Sequence, residues 1–84
     1  MTSREELKEW FEEGTDKGAT HMIVVTDTFD YDDYPVFVKP GQNVYEVAKK
    51  YNNKNMQKIM EVYYMPLGWE AQSEGWVMNW GPKA

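Results

Sequence analysis

The chain contains no cysteine, one histidine and two serines. Without thiols there is neither a disulfide framework nor a thiolate metal site to supplement the core. The scarcity of nucleophile and base partners disfavours nucleophilic catalysis, because Ser3 is better placed as a helix cap. His21, at the start of an apolar run, reads as a packed or exposed histidine rather than as a base. No glycine-rich phosphate loop is present. Long hydrophobic runs are also missing. The longest, Met22 to Val25, is far too short to span a bilayer. The opening "MTSREELKEW" lacks the basic-then-apolar order of a secretory signal, so a soluble, cytosolic chain is expected. Basic charge is in deficit as well. A net charge of −5 disfavours general nucleic-acid binding, which needs clustered Lys and Arg.

The charge that is present is segregated. Residues 27–33 hold the aspartates Asp27, Asp30, Asp32 and Asp33 and no base. Residues 49–58, "KKYNNKNMQK", hold four lysines and no acid. Such runs are ordinarily solvated surface. The basic one can also meet a phosphate, or the acidic loop of a neighbouring copy. Aromatic residues make up 15% of the chain, and Trp69, Trp76 and Trp80 all lie in its last quarter.

With 84 residues there is room for one domain, divided into an α+β core over 1–65 and a Trp-rich tail over 66–84. "SREELKEWFEEGTDKG" reads as a helix, with Ser3 and Glu6 at capping-box spacing and Leu7, Trp10, Phe11 and Gly14 on one stripe. Gly14 allows close approach to whatever supports the helix, and Gly18 ends it. Thr20 to Thr28 is the first strand, apolar on both parities through Met22-Ile23-Val24-Val25. Tyr34 to Lys39 is the second, with Val36 and Val38 facing one way, Phe37 the other, and Pro35 suiting an edge. Asn43 caps a second helix whose stripe is Val44, Val47, Ala48 and Tyr51. Lys58 to Met65 is a third strand, with Ile59, Glu61 and Tyr63 on one parity and Met60, Val62 and Tyr64 on the other. Trp76 to Trp80 has the alternation of a short fourth strand.

The expected architecture is therefore an α+β two-layer helix–strand–strand–helix–strand sandwich. Its antiparallel three-stranded sheet has order 2-1-3, and an aromatic tail or short fourth strand completes it. Both helices are expected on one face. The other face, just as apolar, would then need the tail or a second subunit as cover, so a homo-oligomer is expected.

The acidic loop fails the calcium-hand pattern. Counted from Asp30, position 6 is Pro35 and position 12 is Gly41; counted from Asp27, position 3 is Phe29. A looser magnesium site on these carboxylates, and with it a small metal-dependent hydrolase, stays open beside the plainer reading as an acidic turn. The tail offers flat rings for stacking. Tyr63, Tyr64, Trp69, Trp76 and Trp80 are candidates to hold a nucleotide-like ligand. Lys54, Asn55 and Lys58 are placed to meet a phosphate, and Asp27 or Asp30 a ribose hydroxyl. The same aromatics serve equally as a lid over the sheet. No catalytic residue, metal, cofactor or membrane partner is expected.

"GATHMIVVTDTFDYDDYPVFV", with "NMQKIMEVY" downstream, resembles a set of small proteins encoded by bacteria and their phages, over roughly residues 4 to 65. The resemblance implies a small cytosolic accessory protein that blunts a host defence. It would do so by sequestering a nucleotide signal or, alternatively, by docking on a host protein through the acidic loop and sheet face.

Overall fold

The computed structural model describes residues 3–52, 56–72 and 78–81. The elements run α1 (Arg4–Asp16), β1 (His21–Asp27), β2 (Asp33–Val38), α2 (Val44–Lys49), β3 (Gln57–Tyr64) and a short 3₁₀ turn (Met65–Leu67). The sheet is antiparallel with order β2-β1-β3, an α+β fold as the sequence implies. Both expected caps form. Ser3 Oγ accepts from the Glu6 amide at 3.2 Å, and Asn43 Oδ1 accepts from the Tyr45 and Glu46 amides at 2.9 and 3.2 Å. Each satisfies donors that the first helical turn leaves without a partner.

The layering differs from the expectation. α1 packs Leu7 and Phe11 on Met22, Val24 and Tyr63, whereas α2 packs Val44 and Ala48 on Ile23, Val25 and Val62. The helices thus cover opposite faces, making three layers rather than two. Two physical reasons combine. Three strands about 4.8 Å apart span roughly 10 Å between their outer axes, which is about the diameter of one helix. A second helix on the same side would overhang. Meanwhile each uncovered Ile or Val forfeits about 1.5–3 kcal/mol, so the second apolar parity of β1 draws the second helix to itself. The face thought to lack cover has it, and with that goes the reason for expecting a second subunit there.

Gly14 does what its place on the stripe implies. A methyl group added there would lie 2.7 Å from Phe37 Cε1 and 2.9 Å from Met65 Cε, so α1 sits closer to β2 and the 3₁₀ turn than any larger residue allows.

β3 departs from simple alternation. Glu61 pairs with Val24 but Ile59 pairs with Val25, leaving Met60 as an extra residue in a bulge. Past the bulge the parity flips. Ile59 shares the α2 face with Val62, and Met60 shares the α1 face with Tyr63, in place of the expected Ile59–Tyr63 pairing of faces.

The free edge of β3 is capped by the end of the chain. Met78 forms a parallel bridge with Val62, and the Asn79 amide donates to Val62 O at 2.8 Å. One residue of Trp76–Trp80 therefore bridges as a fourth strand would, although residues 76 and 77 lie outside the described set. Further along, Gln72 stands in for a strand neighbour. Its Oε1 accepts from the Tyr64 amide at 2.7 Å, and its Nε2 donates to Tyr64 O at 2.6 Å and to Gly68 O at 2.9 Å. This side chain is only 5% exposed, so a buried amide closes an edge that would otherwise be open to pairing.

Candidate functional site

The described tail residues lie beside α2. Trp80 stacks on Tyr45, with ring centroids 5.1 Å apart and planes 20° from parallel. Trp80 O accepts from His21 Nε2 at 2.8 Å, which ties the segment to the start of β1. That acceptor places a proton on Nε2, and Nδ1 lies 3.0 Å from the Thr20 hydroxyl. Asn79 Nδ2 reaches Gln72 Oε1 at 3.3 Å, and Asn79 Oδ1 accepts from the Gly81 amide at 3.1 Å. Gly81 has φ +77°, and a methyl group there would lie 2.9 Å from the Tyr64 ring and 3.0 Å from His21 Nε2. Only glycine suits both the angle and the space.

Between this segment and α2 runs a groove of about 350 Å³, lined by Tyr45, Ala48, Lys49, Asn52, Ile59, Met78 and Trp80. It falls at the lower end of the size range of small-molecule sites. α2 supplies one wall through Tyr45, Ala48 and Lys49, and Asn52 continues it just past the helix end. Ile59 belongs to the buried cluster beneath α2, while Tyr45 and Met78 remain 47% and 42% exposed. The lining thus joins apolar and aromatic surface to one ammonium and one amide. Among the described residues, the lining holds no carboxylate, imidazole or hydroxyl nucleophile of the Ser or Thr kind.

Of the described residues expected to bind a ligand, only Trp80 lines this groove. Tyr63 is fully buried on the α1 face, where Trp69 stacks on it at 5.6 Å and Phe11 meets it edge-on at 6.2 Å. Burial and then the neighbouring Glu61 carboxylate, which accepts its hydroxyl at 3.1 Å, push the Tyr63 phenol well above its ordinary range. Tyr64 packs on the His21 ring at 5.0 Å. Lys58 lies opposite Thr26 near the acidic loop, and is exposed. The aromatic surface is therefore divided between the two sheet faces. Asn55 and Trp76, with Lys54, lie outside the described residues.

The acidic loop is built as a turn. Asp27 Oδ1 accepts from the Phe29 amide at 2.8 Å and more distantly from Asp30 N at 3.4 Å, while the Asp27 amide donates to Asp32 O at 2.8 Å. Asp33 accepts from the Thr26 hydroxyl, and Asp30 and Asp32 are exposed. Among the described residues, no three His, Asp or Glu side chains are arranged to hold a metal ion.

Compared with family models, curated proteins and solved structures, the chain matches none. The functional reading therefore rests on these side chains alone. Sequence reasoning reached Lys49 and Asn52 only as members of the basic run 49–58, and passed over Tyr45, Ile59 and Met78 as site residues. The available signal was Tyr45, an aromatic residue on the exposed flank of the buried stripe of α2.

Proposed function

We propose that the chain is a non-catalytic binding protein that holds a planar, anionic small molecule of the nucleotide class in the groove between α2 and residues 78–81. The observation that carries this reading is the Tyr45–Trp80 wall beside an open groove rimmed by Lys49 and Asn52. A base stacks on aromatic faces, an ammonium attracts phosphate, and an amide both donates to and accepts from a base edge. The described lining residues include no carboxylate or imidazole to act as general base and no Ser or Thr nucleophile, which favours retention over turnover. Retention alone makes a sink: a protein in excess of a nucleotide signal lowers its free concentration.

A thermal-shift screen against linear and cyclic nucleotides tests the proposal. A ligand at about a hundred times its Kd stabilises the folded state by about 2.7 kcal/mol. For a domain of this size that raises Tm by on the order of 10 °C. At least one nucleotide is expected to do so in the wild type and to lose most of the effect in Lys49→Glu. No shift with any nucleotide at millimolar concentration refutes the reading.

A further inference from the structure

The two most exposed large hydrophobic side chains among the described residues are Phe29 and Tyr31, at 70% and 72%. Both project from the acidic turn, beside Asp30 and Asp32. Met56, itself 57% exposed, adjoins them, because both the Thr28 amide and the Thr28 hydroxyl donate to Met56 O. The turn is held firmly. Besides the Asp27 bonds, the Tyr31 amide donates to Asp27 O at 2.6 Å, and Tyr31 sits at φ +60°, an angle unfavourable for a bulky residue. A fixed backbone lowers the ordering cost of using these rings in an interface.

What the turn offers is a flat ring beside an anion. That is the chemistry the α2 groove is suited to take, with Tyr45 and Trp80 for the ring and Lys49 for the charge. Neither Phe29 nor Tyr31 lines the groove of its own chain. We infer that the Phe29–Asp32 turn of one copy seats in the α2 groove of a second copy. The inference rests on reading the groove as a receptor for planar anionic groups. Charge complementarity selects this occupant: an acidic aromatic prong and a lysine-rimmed apolar groove occur on the same chain, and the four aspartates would be repelled by an anionic membrane surface.

The contact joins two different surfaces, so it is heterologous. Two aromatic side chains bury at most about 150–250 Å² each. One such contact thus falls well short of the roughly 1,200 Å² of a stable interface. The association is therefore weak, dependent on concentration and weakened by salt. A nucleotide in the groove competes with it.

Sedimentation velocity on the full chain, from micromolar to millimolar, measures this directly. Wild type is expected to gain weight-average mass with concentration. Phe29→Ala with Tyr31→Gly, and separately Lys49→Glu, are expected to stay monomeric; these are exposed positions whose change leaves the core intact. Mixing the two variants restores a one-to-one pair, since one supplies a working groove and the other a working turn. A wild type that stays monomeric at millimolar concentration overturns the inference. So does association that survives the loop variant, or a mixture that fails to pair. Nucleotide binding without self-association keeps the groove reading and discards this contact. Self-association lost in both variants, with no nucleotide bound, keeps the contact and discards the ligand class.

Discussion

The two faces of the sheet are covered by unequal means. On one, a 13-residue helix lays Leu7 and Phe11 over Met22, Val24 and Tyr63, and Trp69 closes the side by stacking on Tyr63. On the other, a 6-residue helix covers Ile23, Val25 and Val62 with Val44 and Ala48, and residues 78–81 complete the cover only in part. The long helix packs along its face with Trp69 beside it, and the short one leaves a groove at its flank. A helix of fewer than two full turns has little stability of its own and depends on packing. The comparison suggests a division of labour, with folding stability concentrated on the α1 face and recognition on the α2 face.

The largest test sets one substitution on each face. Phe11→Ala should cost about 3–5 kcal/mol, the usual range for an aromatic removed from a core. Trp80→Ala, at a half-buried position, should cost about 1–2 kcal/mol from lost burial while removing nucleotide binding. Urea unfolding of both variants provides the readout. Equal losses would mean that Trp80 is as structural as Phe11 and would break the contrast.

Next in size is Gln72→Ala. It leaves the Tyr64 amide and carbonyl without their side-chain partner and frees Asn79 from one anchor. A loss of about 1–3 kcal/mol is expected for buried groups left unpaired. Hydrogen exchange at Tyr64 and Asn79 should quicken, with residues of α1 unaffected. Uniform quickening would show that the tail clamp and the α1 core are one unit.

The smallest effect is alkaline. Tyr63 on the α1 face and Tyr34 on the α2 face both have phenols raised above the ordinary tyrosine range, in each case chiefly by burial. For Tyr34 the nearby Tyr51 and Asp27 add to the rise, and the hydrogen bond from Gln57 opposes it. Above the unfolded-state pKa the unfolded chain loses phenolic protons that the folded chain keeps. Stability is therefore intact below about pH 10 and falls as pH rises towards the folded-state values. Tyr63→Phe should flatten more of that decline than Tyr34→Phe. Denaturant midpoints on either side of pH 10 measure it, and the opposite ranking would place the tighter core under α2.

Much of the fold could be read from the residues because local signals agree with one another. Ser3 and Asn43 mark the helix starts, Pro35 the edge strand, and Met22–Val25 a centre covered above and below. What escaped depended on three-dimensional arithmetic. The same two apolar parities of β1 that pointed to missing cover also dictate one helix per face, once the width of three strands is set against the width of a helix. The bulge at Met60 carries no glycine to announce it, yet it reassigns every β3 side chain on one side of it. The candidate site was legible at Trp80 and, through the basic run 49–58, at Lys49. Tryptophans close in sequence were taken to share a surface, but Trp69 stacks on Tyr63 on the α1 face and Trp80 packs against the α2 cluster. Gln72, polar and unremarkable in the sequence, became a strand surrogate because the edge of β3 needed one.

The central claim is that recognition belongs to the α2 face. A nitrogen-15 NMR titration of the full chain with adenosine monophosphate tests it most directly. Shifts should be confined to α2, Asn52, Ile59 and residues 78–81, and the amides of Phe11, Met22 and Tyr63 should stay still. Shifts centred on the α1 face, or none at millimolar nucleotide, would contradict the account.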